Sequence, residues 1–344
     1  MSILRIAAVL LLAATVTDAT AAVPRRKQAT AQRRVPAPAA RQAAAPVQTA
    51  HRRSPYVGAI CADADTERIF FSENADAEAY PASVTKLMTL LLVLEDVASN
   101  RYSFATSIAA TPDVNRCEAS WVGLKAGESM TVHDLCLALM VESANDAAIV
   151  LAVNSAGSFD GFVERMNSRA AELGMSQTRY YNPNGLPPNA AKRYPWKSFN
   201  VSTASDQLKL ARRLLKTPET LAFTSVKTCD LIKTADGYRV SVTRRVNEPL
   251  AETTLEPGEK IVKQLRNHNN VMVKDKLKVI NPDKREAVDG LKTGYIDAGG
   301  SSVVMTGSRS GKRAIAIVLG STTSQERDSN AARLIDDALG AMAW

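Results

Sequence analysis

Residues 81–94 read Pro-Ala-Ser-Val-Thr-Lys-Leu-Met-Thr-Leu-Leu-Leu-Val-Leu. The span Val84–Val97 has helical length and is apolar almost all round, which predicts a helix buried on every side. Pro81 and Ala82 lead into it, so Ser83 falls near its N-terminus. Free N–H groups and the helix dipole there favour a developing oxyanion. The i,i+3 spacing puts Ser83 and Lys86 on one face. An N-capping serine and a solvated lysine are the ordinary occupants of such positions. A charge inside an apolar helix is costly, however, and a lysine in a dry pocket can lose its proton and serve as base for a serine.

Working outward, Tyr56–Asp63 and Arg68–Ser72 are rich in Ile, Val and Phe and predict a hairpin around Asp65-Thr66-Glu67. Val132–Val153 is a second helical stretch, interrupted by polar Glu142–Asp146. Phe159–Leu173 and Thr203–Leu215 read as amphipathic helices ending near Gly174 and Pro218. Ser301–Gly307 and Arg313–Gly320 read as strands joined by Arg309-Ser310-Gly311-Lys312, and Glu326–Met342 as a closing helix. Strands at both ends with helices between them predict an α+β fold, an antiparallel sheet packed with helices.

The chain has 344 residues and a formal net charge of +8. Nine basic residues and one acid fall in residues 1–53, and the remainder carries equal numbers of each sign. The basic excess therefore belongs to the N-terminal segment and does not argue for nucleic-acid binding. Residues 1–22 have the form of an export signal: Arg5, the apolar run Ile6–Val16, then Ala19-Thr20-Ala21. The Arg25-Arg26-Lys27 run resists translocation and makes an uncleaved anchor the alternative. Residues 23–54, rich in Ala, Pro and Arg, predict a disordered basic linker able to touch an anionic wall or membrane surface. The folded domain is expected over 55–344.

The three histidines lie far apart, and Cys61, Cys117, Cys136 and Cys229 form no C-x-x-C, so neither a metal site nor another cofactor is expected. In an exported chain the cysteines have three possible pairings, and buried free thiols are equally compatible. Two further polar clusters stand out. Ser143-Ala144-Asn145 breaks the second helix, with a hydroxyl suited to proton relay and an amide suited to a substrate peptide group. Lys292-Thr293-Gly294 follows Asp289-Gly290-Leu291. Its Lys and Thr can hold a carboxylate, and its Gly is expected to leave room for an extended substrate along the strand edge.

S-x-x-K, a Ser/Asn motif and K-T-G in this order form a known signature of penicillin-recognising enzymes. The sequence resembles the low-molecular-mass penicillin-binding proteins, the D-alanyl-D-alanine carboxypeptidase/endopeptidase family of serine peptidases (family S11). The likeness runs from about Tyr56 to Ala338 and includes Leu124–Gly127, Ser143–Ala148, Asn182–Leu186, Ser202–Asp206, Asn267–Asn269 and Asp289–Tyr295. It implies the β-lactamase/transpeptidase-like fold and an exported, periplasmic or cell-envelope enzyme. Its substrates would be peptidoglycan stem peptides, with β-lactams as covalent inhibitors.

The resemblance also implies roles. Ser83 would be the acylated nucleophile, Lys86 its base, and Ser143 the proton relay to the leaving D-alanine. Asn145 would bind the substrate backbone, and Lys292 and Thr293 the terminal carboxylate. The N–H groups of Ser83 and Tyr295 would form the oxyanion hole. Arg327 falls where the family carries an arginine that helps hold the carboxylate.

Ile296 and Gly300-Ser301-Ser302 depart from the family pattern, and Val271–Val288 is long and Lys-rich. The second β-rich domain of many carboxypeptidases is not seen, which leans the expectation toward the cross-link-cutting endopeptidases. A class A β-lactamase would add a Glu that activates water, but between Glu172 and Glu219 the only acid is Asp206. A non-catalytic wall-binding protein would not need all six polar motif residues.

Overall fold

The computed structural model describes residues 54–66, 68–116, 119–189, 196–274 and 287–342. The signal-like segment, residues 23–53 of the linker, Cys117 and residues 275–286 of the Lys-rich stretch lie outside them. No helix among the described residues is long and apolar enough to cross a membrane.

The chain opens with strands β1 (Gly58–Asp63) and β2 (Ile69–Glu73), the expected hairpin. A 3-10 turn, Ala82–Thr85, leads into α1 (Lys86–Ala98). The small strands β3 (Ser107–Ala109) and β4 (Ser129–Thr131) precede α2 (Val132–Leu137), a π-type turn (Ala138–Glu142) and α3 (Asn145–Ala156). Helices α4 (Phe159–Glu172), α5 (Ala204–Leu215) and α6 (Glu219–Thr224) complete the helical part. Strands β5 (Val226–Lys233), β6 (Tyr238–Arg245) and β7 (Lys260–Arg266) follow, then the short α7 (Asn270–Val273). The chain closes with β8 (Ala287–Ile296), β9 (Gly300–Arg309), β10 (Lys312–Ser321) and α8 (Ser324–Ala341).

The main sheet is antiparallel, in the order β2-β1-β10-β9-β8, so the chain's two ends meet in its centre. Strand β10 is apolar from Ala314 to Leu319 because both sheet faces are covered. Ile315, Ile317 and Leu319 pack into the helical layer with Leu87, Leu91, Leu135 and Leu151. Ala314, Ala316 and Val318 face Ile335 and Leu339 of α8. Each fully buried aliphatic of this kind contributes about 1.5–3 kcal/mol. Helix α1 lies in the first layer with Leu87, Met88, Leu90 and Leu91 buried, as its largely apolar sequence requires.

Two differences from the sequence reading concern local structure. Ser83 sits in the 3-10 turn, and the α-helix proper begins at Lys86. The antiparallel sheet β6-β5-β7 was not foreseen: most of β7 (Lys-Ile-Val-Lys-Gln-Leu-Arg) is exposed on both faces and gives no alternation. Of the two states the sequence left open for the cysteines, Cys61, Cys136 and Cys229 take that of buried free thiols, and burial pushes the Cys61 thiol up to about 12.

Candidate active site

Ser83 is partly exposed at the turn that begins the most buried helix. The residue before it, Ala82, holds φ of 50°, a left-handed conformation that a non-glycine residue adopts only under constraint from its surroundings. One constraint is visible at Gly185: a Cβ there would lie 1.9 Å from the Ala82 carbonyl oxygen. The Asn182-Pro183-Asn184-Gly185 turn is thus pressed against the serine turn. Asn182 Oδ1 accepts the N–H of Gly185 at 2.6 Å, and Thr89 Oγ1 donates to the Pro183 carbonyl at 2.7 Å. Asn200 Nδ2 bridges the Asn182 carbonyl (3.0 Å) and Thr85 Oγ1 (2.9 Å).

Lys86 is completely buried. Its Nζ lies 3.0 Å from Ser83 Oγ, 2.7 Å from Asn145 Oδ1 and 2.7 Å from the Asn184 main-chain oxygen. Asn145 Nδ2 donates to the Ala119 carbonyl at 2.6 Å, which fixes the amide with its oxygen toward the lysine. Two of the three neighbours of Nζ can only accept. A neutral amine would give its two N–H groups to them and turn its lone pair on the Ser83 hydroxyl, the geometry of a general base.

Ser143 ends the π-type turn in a left-handed conformation, φ 62° and ψ 30°. Single π-type turns of this sort recur at functional sites. Its Oγ is buried and has no hydrogen-bond partner among the described residues. Such a hydroxyl is costly to keep unless a ligand or reacting group completes it.

Strand β8 is the outer strand of the main sheet, with no further strand paired to it among the described residues, the position at which an extended peptide can add. It carries Lys292 and Thr293, both nearly buried, and Tyr295, which is exposed. Lys292 Nζ donates to the Thr293 carbonyl at 2.9 Å. Burial, and secondarily the Arg327 guanidinium, bring the Lys292 pKa down to about 7. His268 is brought down to about 4 by burial first, then by Lys292, Lys86, Arg327 and Lys263. The motif residues therefore converge on one electropositive site.

Gly294 lies against the serine turn. A Cβ there would meet the Pro81 carbonyl oxygen at 2.5 Å and the Ser83 nitrogen at 3.0 Å. The glycine lets β8 close against the serine turn. Arg327, in the first turn of α8, is buried and within electrostatic reach of Lys292. Its Nε and Nη2 are committed to Asp328 Oδ1, at 2.9 and 2.7 Å. The Asn184 and Ala119 carbonyls were missed by residue-type reasoning, because a main-chain oxygen leaves no side-chain signature. The Asn-Pro-Asn-Gly turn was the available signal.

A buried lysine set between a serine and two fixed acceptors, beside a sheet edge rich in cations, defines a serine–lysine site suited to acyl transfer. The sequence profile of the D-alanyl-D-alanine carboxypeptidases, peptidase family S11, matches residues 55–323, and the chain belongs to that family. It is 26% identical over 282 residues to D-alanyl-D-alanine carboxypeptidase DacF of Bacillus subtilis, covering 81% of this chain and 61% of that protein. It is 32% identical over 152 residues to a D-alanyl-D-alanine endopeptidase of Pseudomonas aeruginosa, covering 44% of this chain and 45% of that one. The chain thus spans less than two thirds of the length of these relatives.

Among solved structures, the carboxypeptidase DacD of Francisella tularensis superposes with a TM-score of 0.68 at 27% identity, over 87% of this chain and 74% of that one. The ampicillin-bound penicillin-binding protein D2 of Listeria monocytogenes gives 0.60 at 27% identity, over 82% and 96%. The α+β, transpeptidase-like fold is shared with both.

Proposed function

We propose that the chain is a penicillin-sensitive serine peptidase that cleaves D-alanyl-D-alanine bonds of peptidoglycan stem peptides in the cell envelope. The observation that carries this reading is the placement of Lys86 Nζ, 3.0 Å from Ser83 Oγ and 2.7 Å from each of two acceptors, Asn145 Oδ1 and the Asn184 main-chain oxygen. Ser83 Oγ attacks the carbonyl of the penultimate D-alanine while its proton passes to Lys86. The tetrahedral oxyanion is met by the N–H groups of Ser83 and Tyr295. As the C–N bond breaks, the proton reaches the leaving amine through Ser143. Lys292 and Thr293 hold the carboxylate of the leaving residue, with Arg327 adding positive potential from behind Lys292. Water then hydrolyses the Ser83 ester. A β-lactam forms the same ester and stays, because its ring opens without releasing an amine.

The β-lactamase alternative is disfavoured by Asp206. That carboxylate is buried, accepts the N–H of Gln177 and the hydroxyl of Thr178 at 2.9 Å each, and pairs with Lys209. It is committed to holding α5 and is not available to activate water.

Between free pentapeptide ends and cross-links the reading leans to cross-links, in line with the endopeptidase relative and with a basic linker able to hold the domain on an anionic surface. Digestion of purified peptidoglycan with the full chain separates the two. Loss of dimeric muropeptides is expected; loss of pentapeptides with untouched dimers would leave a carboxypeptidase.

A further inference from the structure

The loop 119–124 is bound at six successive main-chain groups. Asn145 Nδ2 donates to the Ala119 carbonyl at 2.6 Å, the Asn145 N–H to that of Ser120 at 2.7 Å, and Lys263 Nζ to that of Trp121 at 3.2 Å. The next three N–H groups go to one carboxylate, that of Asp146. Val122 donates at 3.2 and 3.3 Å, Gly123 at 2.9 Å and Leu124 at 3.1 Å, and Ala147 adds a further N–H at 3.0 Å.

Two features make this more than an ordinary loop anchor. Ala119 and Ser120 both hold positive φ, 57° and 43°. Such residues are strained and persist only where neighbours over-determine them. Asp146 is also fully buried, and its hydrogen bonds among the described residues all come from main-chain N–H groups. A buried carboxylate without a cation is an expensive tether where an apolar contact would serve stability as well.

We propose that Asp146 is a positioning residue of the acylation step. It fixes the 119–124 loop, the loop fixes the Asn145 amide through the Ala119 and Ser120 carbonyls, and the amide oxygen orients Lys86 toward Ser83. Lys263, which also pairs with Glu142 next to Ser143, is the second tether of the same loop. The inference rests on the serine–lysine reading above.

The test uses the full chain. In Asp146→Asn one acceptor oxygen becomes an NH2 group facing N–H donors. Hydrogen exchange at Val122, Gly123 and Leu124 should quicken while the amides of α1 stay protected. The limiting rate of acylation by a fluorescent penicillin should fall about tenfold or more, with its binding constant little changed. In an Asn145→Ala background the same substitution should cost less than about threefold, because both act through one amide. An equal loss in both backgrounds, or full activity with the loop released, would overturn the inference.

Lys263→Ala keeps the question open to test if Asp146→Asn does not fold, since Lys263 is largely at the surface. It should lower the limiting rate and be rescued by Lys263→Arg. A change confined to binding would count against the proposal. If the unsubstituted chain takes up no penicillin, the serine peptidase reading itself has failed. Normal uptake with the pattern reversed overturns only the positioning role.

Discussion

The main-chain oxygen of Asn184 lies 2.7 Å from Lys86 Nζ, so a turn 98 residues further along supplies one of the lysine's acceptors. The turn cannot shift without disturbing the base, because Gly185 sits directly against the Ala82 carbonyl.

Gly185→Ala should therefore damage stability and chemistry together. The new Cβ would lie 1.9 Å from the Ala82 oxygen, on a residue whose φ is 83°. A loss of about 3–5 kcal/mol is expected, read from chemical denaturation, with acylation slowed even where the protein remains folded.

Lys86→Arg should acylate at least about a thousandfold more slowly, because a guanidinium stays protonated and cannot receive the Ser83 proton. Stopped-flow acylation by a chromogenic β-lactam measures this. An arginine variant at the wild-type rate would remove Lys86 from the role of base.

The pH dependence should report Lys292. Its pKa of about 7, lowered by burial and then by Arg327, means that the free enzyme loses this ammonium as the pH rises through that value. For a peptide ending in a carboxylate, kcat/KM should fall by up to about tenfold per pH unit above the pKa. Arg327→Ala removes a like charge and should move this limb to higher pH. A profile flat to pH 9 would separate Lys292 from carboxylate binding.

Acid stability should depend on Asp96 at the end of α1. Burial pushes this carboxylate up, but hydrogen bonds from Arg165 and Ser155 and the nearby charges hold it below the ordinary value of 3.8. Its contribution to stability is complete above that value and is lost as the pH falls through the folded pKa. Arg165 Nη2 lies 2.7 Å from Asp96 Oδ1. Arg165→Met leaves the buried charge with only the longer Arg101 contact, 3.5 Å, and the Ser155 and Tyr102 hydroxyls, and should cost about 1–3 kcal/mol in equilibrium unfolding at neutral pH.

Much of this arrangement was legible in the residues. The unbroken apolar character of Val84–Val97 announced a buried helix, and that made a lysine within it anomalous enough to read as chemical. The polar break at Glu142–Asp146 marked the π-type turn that presents Ser143. Asp146 and Lys263 were not legible, because an acid in a polar turn and a lysine on a charged strand look like solvated residues until folding buries one and pairs the other. The contact of Gly294 was not legible for a related reason. A glycine signals close approach by something, and only the structure identifies that neighbour as the serine turn.

The central claim is that Ser83 is a nucleophile activated by Lys86. Incubating the full chain with benzylpenicillin and mapping the adduct by peptide mass spectrometry tests it most directly. The account predicts one penicilloyl group per chain, on the peptide containing Ser83, and none on a folded Ser83→Ala variant. An adduct on another residue, undiminished labelling of the variant, or no adduct on the unsubstituted chain would contradict it.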